Sequence, residues 1–219
     1  WSEGGEPYSL AISPDDADVL VLGTDDGQMY RSTDAGLSWA AAEMPEGWLS
    51  GSSTTTPYSI GWPATDTSMV YVRSYTTGLV STDGGLTFSP MGDLGLDAAE
   101  GWTGDMVVDS LDPQRLWIIS RNSTPFSGLV HESVDGGMTW TDHPAPEGEC
   151  MSIAAHPSEA GTVWCSKAKV FKSLDGGAGW EELSELPVES YPDELVVDPT
   201  NADRLYMAMR SFGPAVSDD

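Results

Sequence analysis

Ser81-Thr82-Asp83-Gly84-Gly85-Leu86-Thr87-Phe88 decides the fold, because the same eight-residue pattern returns three more times. The other copies are Ser32-Thr33-Asp34-Ala35-Gly36-Leu37-Ser38-Trp39, Ser133-Val134-Asp135-Gly136-Gly137-Met138-Thr139-Trp140 and Ser173-Leu174-Asp175-Gly176-Gly177-Ala178-Gly179-Trp180. Their aspartates stand 49 (34 to 83), 52 (83 to 135) and 40 (135 to 175) residues apart, a spacing that suits one four-stranded blade in a radial array. Each position has a physical reason. The glycine takes the positive φ of a tight hairpin turn. The carboxylate accepts amide hydrogens inside the turn, and the Ser or Thr hydroxyls help to close it. The aromatic residue opens the next strand with a large apolar surface for packing between sheets. The pattern is a folding device and carries no chemistry of its own.

Outward from each box lies an apolar strand, a Pro/Asp-rich turn and a second apolar strand. Ser9–Asp16 with Val19–Thr24, Tyr58–Pro63 with Val70–Arg73, Met106–Asp109 with Leu116–Ile119, Met151–Pro157 with Val163–Cys165, and Leu195–Pro199 with Leu205–Met209 are the five copies. Each repeat therefore reads as four strands, A to D, with C ending in Ser-x-Asp and D opening on Trp or Phe. No stretch sustains a helical period. The expected architecture is an all-β propeller of four-stranded antiparallel blades, residues 1–219 as one domain, with repeats near 1–39, 40–88, 89–140, 141–180 and 181–219. The chain ends Val216-Ser217-Asp218-Asp219, the first half of a fifth box with Asp219 at its aspartate position, and begins with Trp1, the residue type that completes a box. Two readings are open: a ring of five closed by the N-terminal piece, or a window of a longer chain.

The charge narrows the partners. Thirty-five acidic against nine basic residues give a net charge of −26, which repels nucleic acid and anionic membranes alike. No apolar run approaches the roughly 18 residues a bilayer span needs, so direct membrane insertion is not expected. The acidity serves solubility or, alternatively, cation-binding loops, although no EF-hand spacing occurs. His131, His143 and His156 lack metal-ligand spacing, and no cofactor motif is present, so neither metal nor cofactor is expected. Cys150 and Cys165 flank the turn His156–Gly161. There they form either a disulfide, as an exported protein would carry, or two buried thiols.

The boxes and their Pro/Asp turns resemble the BNR or Asp-box superfamily of β-propellers. Its members include sialidases, xyloglucan-cleaving glycosidases, the luminal domains of sortilin-type receptors and photosystem II assembly factors. The resemblance covers nearly the whole chain and implies the fold more than an activity, because the members do different things. It also implies that the boxes lie away from the ligand site, so that Asp34, Asp83, Asp135, Asp175 and Asp219 are structural. A sialidase-like arginine cluster has no counterpart here: Arg31, Arg73, Arg115, Arg121, Arg204 and Arg210 are spread over the repeats, and no Phe/Tyr-Arg-Ile-Pro element occurs near the start. Likeness to xyloglucanases is strongest in Gly23–Ser32, which is general repeat sequence. A carboxylate pair for glycoside hydrolysis can always be drawn from 35 acids and so discriminates nothing. No catalytic residue is expected, and no G-x-S-x-G elbow marks a serine nucleophile.

Strand alternation gives each blade two ends. The A–B and box turns share one; the B–C and D–A loops share the other. At the second end stand Arg73, Tyr75, Trp102, Arg121, Phe126, Arg210 and Phe212, a set of cations and aromatic rings suited to an anionic or carbohydrate ligand. The competing reading is that the cations pair with local carboxylates and relieve self-repulsion. The expected function is a non-catalytic exported scaffold or binding module that recognises a protein or glycan partner, or packs into a larger assembly. A glycoside hydrolase or sialidase-like enzyme is the alternative.

Overall fold

The computed structural model describes residues 5–48, 55–75, 77–95, 101–123, 126–185, 192–209 and 213–217. Five antiparallel meanders follow one another along the chain. Blade 1 is β1 (Pro7–Ile12), β2 (Leu20–Thr24), β3 (Met29–Ser32) and β4 (Ala40–Ala41), and blade 2 is β5 (Ser59–Gly61), β6 (Val70–Arg73), β7 (Gly78–Ser81) and β8 (Ser89–Pro90). Blade 3 is β9 (Gly101–Val108), β10 (Leu116–Ser123), β11 (Phe126–Ser133) and β12 (Thr141–Pro144). Blade 4 is β13 (Ser152–Ala155), β14 (Val163–Ser166), β15 (Lys169–Ser173) and β16 (Glu181–Glu185), and blade 5 is β17 (Pro192–Asp198), β18 (Asn201–Met209) and β19 (Gly213–Ser217). In every sheet, chain order is also spatial order. The fold is an all-β propeller of antiparallel blades with Asp-box hairpins between the third and fourth strands.

The second strands of blades 2 and 3 are buried along most of their length, whereas β18 of blade 5 alternates, with Tyr206 exposed. Val70, Tyr71 and Val72 are all fully buried, as are Leu116, Trp117 and Ile118. β4 and β8 are only two residues long, so in blades 1 and 2 the chain leaves the sheet almost at once after the box aromatic.

The chain divides into two compact units. The first is Trp1–Thr103 with Gly136–Thr139; the second is Gly104–Asp135 with Trp140–Asp219. The first unit is built around Val21, Met29, Val70, Val72, Leu79 and Phe88. The second has one cluster around Trp117, Ile119, Val130 and Val163 and another around Trp164, Leu195, Leu205 and Met207. The tip of the third box belongs to the first unit for a physical reason: the tips of the second, third and fourth boxes each bond to the blade before their own. Arg31 Nε of blade 1 donates to Gly84 O of the second box at 2.9 Å. Gly92 N donates to Gly137 O of the third box at 2.7 Å, and within the second unit Trp117 Nε1 donates to Gly176 O of the fourth at 2.8 Å.

Candidate functional site

The box aspartates are consumed by their own turns. In the first box Asp34 accepts from Ser32 Oγ at 2.8 Å, Ser38 N at 2.8 Å and Ser38 Oγ at 2.5 Å. In the second, Asp83 accepts from Ser81 Oγ, Leu86 N, Thr87 N and Thr87 Oγ1 at 2.7–3.0 Å. In the third, Ser133 Oγ donates to Asp135 at 2.9 Å. In the fourth, Asp175 takes Ser173 Oγ and Gly179 N, both at 2.8 Å. These donors favour the charged form. The Ser38 hydroxyl holds the Asp34 carboxyl below its ordinary range, and the Gly179 amide does the same for Asp175. Burial pushes Asp83 the other way, but the donors led by the Thr87 hydroxyl outweigh it and leave its pKa lowered. A general acid needs a raised pKa; Asp34, Asp83 and Asp175 are built in the opposite sense. Asp219 lies outside the described residues.

At the other end of blades 1 and 2, within the first unit, the structure brings together Arg73 and three tyrosines. The ring of Tyr8 meets that of Tyr58 edge-on, with centroids 5.2 Å apart and planes at 87°. Tyr58 stands 6.4 Å from Tyr75, tilted by 48°. The guanidinium carbon of Arg73 lies 5.2 Å from the Tyr58 centroid, a cation–π distance. Arg73 is fixed by donating to Ser59 Oγ, Thr103 O and Thr103 Oγ1 at 3.1–3.3 Å. Thr103 in turn donates through N to Tyr75 O at 2.8 Å and through Oγ1 to Ser74 O at 2.6 Å, which ties the start of β9 to the end of β6. Burial, with Tyr8 adding to it, raises the Tyr58 pKa, so its phenol stays protonated.

Arg73 and Tyr75 were singled out from the sequence; Tyr8 and Tyr58 were not. Their signal is in the repeats, since Pro7-Tyr8-Ser9 and Pro57-Tyr58-Ser59 are identical tripeptides at the start of successive A strands. Trp102 is the second residue of β9 and Phe126 opens β11, but their side chains are outside the described set, as are Arg210 and Phe212 entirely.

In the second unit Arg121, Lys167 and Lys169 meet carboxylates, while Lys172 lies over the Trp164 ring. Arg121 pairs with Glu149, and Lys167 Nζ lies 2.8 Å from the other oxygen of that carboxylate. The Glu149 side chain is 5% exposed, so two cations at the ends of β10 and β14 surround one buried anion. Lys169 bridges Glu147 at 3.0 Å and Glu182 at 2.8 Å, and Glu182 above all, then Glu147, raises its pKa. Glu147, with φ 50°, and Gly148, with φ 75°, turn the chain sharply just before Glu149. Cys150 and Cys165 are bonded, with Cα atoms 5.8 Å apart. Cys150 lies just before β13 and Cys165 within β14, opposite Ile153, so the bridge crosses the open end of that hairpin.

Blade 3 also contains a relay that spacing did not show. Ser120 Oγ lies 2.6 Å from His131 Nε2, and His131 Nδ1 lies 2.7 Å from Asp142 Oδ1. The serine–histidine–aspartate order resembles a nucleophilic triad. However, Ser120 is 1% exposed and His131 fully buried, so no substrate carbonyl reaches the hydroxyl. Burial lowers the His131 pKa despite Asp142 beside it. The neutral ring accepts from Ser120 and donates to Asp142, which satisfies all three groups across β10, β11 and β12. Among the described residues no group of three or more His, Cys, Asp or Glu side chains is placed to hold a metal ion, and no helix is long and apolar enough to cross a membrane.

No family model matches the chain. A probable oligoxyloglucan-reducing end-specific xyloglucanase of Neosartorya fischeri is 26% identical over 217 residues, covering 88% of this chain and 25% of that protein. Among solved structures, the GH74 xyloglucanase from Xanthomonas campestris is similar with a TM-score of 0.72 at 20% identity, over 99% of this chain and 36% of that one. YCF48 bound to D1 peptide is similar at 0.64 and 16%, over 98% and 66%. The extracellular domain of a putative one component system from B. thetaiotaomicron gives 0.67 and 13%, over 95% and 27%. Identities this low establish a shared fold. The chain spans a quarter of the length of the curated relative it matches.

Proposed function

We propose, the chain being a β-propeller of the BNR or Asp-box type, that it is a non-catalytic exported binding module holding a glycan or protein partner at the blade ends opposite its boxes. The observation that carries this reading is the row Tyr8–Tyr58–Tyr75 with Arg73 fixed against it. Tyr8 is 54% exposed, and an exposed ring beside a positioned guanidinium offers apolar stacking and a polar anchor together. The closed hydrogen bonding of the box aspartates supports a non-catalytic role for them, and the Cys150–Cys165 bridge supports export, because disulfides persist in oxidising compartments. YCF48 bound to D1 peptide is a propeller with a peptide partner. A second reading, a glycoside hydrolase, is favoured by the likeness to xyloglucanases.

The two readings separate in one assay. Xyloglucan oligosaccharides and sialyllactose are incubated with the protein while reducing-end release and binding by calorimetry are followed together. Binding of an oligosaccharide without release, weakened about tenfold or more by Tyr58→Ala, is expected, in keeping with the loss of one stacked ring. Multiple turnovers would establish the hydrolase instead.

A further inference from the structure

The box end of the first unit has a chemistry of its own. Leu37 is 88% exposed, Leu86 53% and Met138 50%, and all three occupy the same box position, directly after the second residue of the Ala-Gly or Gly-Gly pair. Ala178 fills that position in the fourth box, so the turn itself does not demand a large apolar side chain. Hydrogen bonds join these tips into one surface. Ala35 N donates to Asp18 O at 2.9 Å and Gly84 N to Ser68 O at 2.8 Å, while Thr67 Oγ1 donates to Asp15 Oδ2 at 2.9 Å. Gly136 abuts blade 2, where an added Cβ would stand 3.5 Å from Met69 Cε.

Around these apolar tips the surface is acidic. Asp15, Asp16, Asp18, Asp34, Asp66 and Asp83 lie in the A–B and box turns, and among the described residues none of them pairs with a basic side chain. Residues 1–103 hold fifteen acids and only Arg31 and Arg73. Arg31 Nε donates to Gly84 O, and Arg73 lies at the opposite end of blade 2 against Tyr58. Among the described residues, six carboxylates at this end therefore face a single cation, Arg31, whose Nε is already committed to Gly84 O. Apolar side chains set among unpaired carboxylates are complementary to a segment that alternates apolar and basic residues. A second copy of the chain, itself at −26, is repelled.

We propose that the box end of the first unit is a docking surface for a cationic amphipathic segment of a partner protein, seated on Leu37, Leu86 and Met138. This surface is separate from the tyrosine row and stands or falls without it.

The test uses the full chain and two labelled peptides of equal charge, one alternating Leu and Lys, the other with Ser in place of Leu. The Leu/Lys peptide binds about tenfold more tightly than the Ser/Lys peptide, and the triple substitution Leu37→Ser, Leu86→Ser, Met138→Ser removes that advantage while leaving the Ser/Lys affinity unchanged. Tyr58→Ala alters neither affinity. Because the three side chains are exposed, the triple variant melts with the parent; should it melt earlier, Leu37→Ser alone, at the most exposed position, still weakens the Leu/Lys peptide about threefold. Equal affinity for the two peptides, or undiminished Leu/Lys binding by the serine variants, overturns the proposal.

Discussion

Gly85 and Ala35 show how much one residue of a box is constrained. Gly85 has φ 87°, and a Cβ added there would stand 2.6 Å from Val21 Cγ2 in the core. Backbone strain and packing conflict then act together, so Gly85→Ala is expected to destabilise by about 2 kcal/mol or more. Ala35 has φ 56° at the place where the other three boxes carry the first of two glycines, and it is exposed. Ala35→Gly relieves about 1 kcal/mol of strain but returns a similar amount of entropy to the unfolded chain, so stability stays within about 0.5 kcal/mol of the parent. Denaturant titration of the two variants checks both. Similar losses in both would mean that the tip, and not its seat on the preceding blade, sets the requirement.

Across a whole blade, pairing register does what spacing in the sequence does not. His131 faces Asp142 directly across β11 and β12, and Ser120 reaches it from β10 because Ile118, its neighbour two residues earlier, is the partner of His131. The relay was illegible beforehand because a one-residue change of register puts these side chains on opposite faces. It has a consequence for pH. Burial lowers the His131 pKa from 6.5, and that of His156 likewise, so the folded state favours the neutral rings. The unfolded chain therefore binds protons first as pH falls, and stability present above about 6.5 is lost progressively below it. Melting temperature is expected to decline between pH 7 and 5, with a smaller decline in His131→Gln. A flat profile over that range contradicts the assignment. The box aspartates act in a lower window, since pKa values held below 3.8 cost stability only as pH falls beneath that value.

At the scale of the molecule, the recurring boxes were enough to read the blades, because hairpin chemistry is local and repeats at blade spacing. Two things were not local. The seating of the later boxes on the preceding blade depends on packing between sheets, as with Trp117 and Gly176. The fate of the cations depends on which loop lies nearby: Arg121, read either as ligand-facing or as paired with a local carboxylate, pairs with Glu149. Arg73, read the same way, instead lies against the tyrosine row. Two of that row's three tyrosines, Tyr8 and Tyr58, are marked only by the identical Pro-Tyr-Ser openings of the A strands and not by a basic residue at the end of a B strand.

The division of labour between the two blade ends is tested most directly by oligosaccharide affinity measured on correctly folded Asp83→Asn protein beside Tyr58→Ala. Asp83→Asn is expected to lower the melting temperature through lost turn bonds while the folded fraction binds as the parent does, whereas Tyr58→Ala is expected to weaken binding and melt near the parent. Loss of binding in an Asp83→Asn protein that melts normally would place the ligand at the boxes and contradict that division.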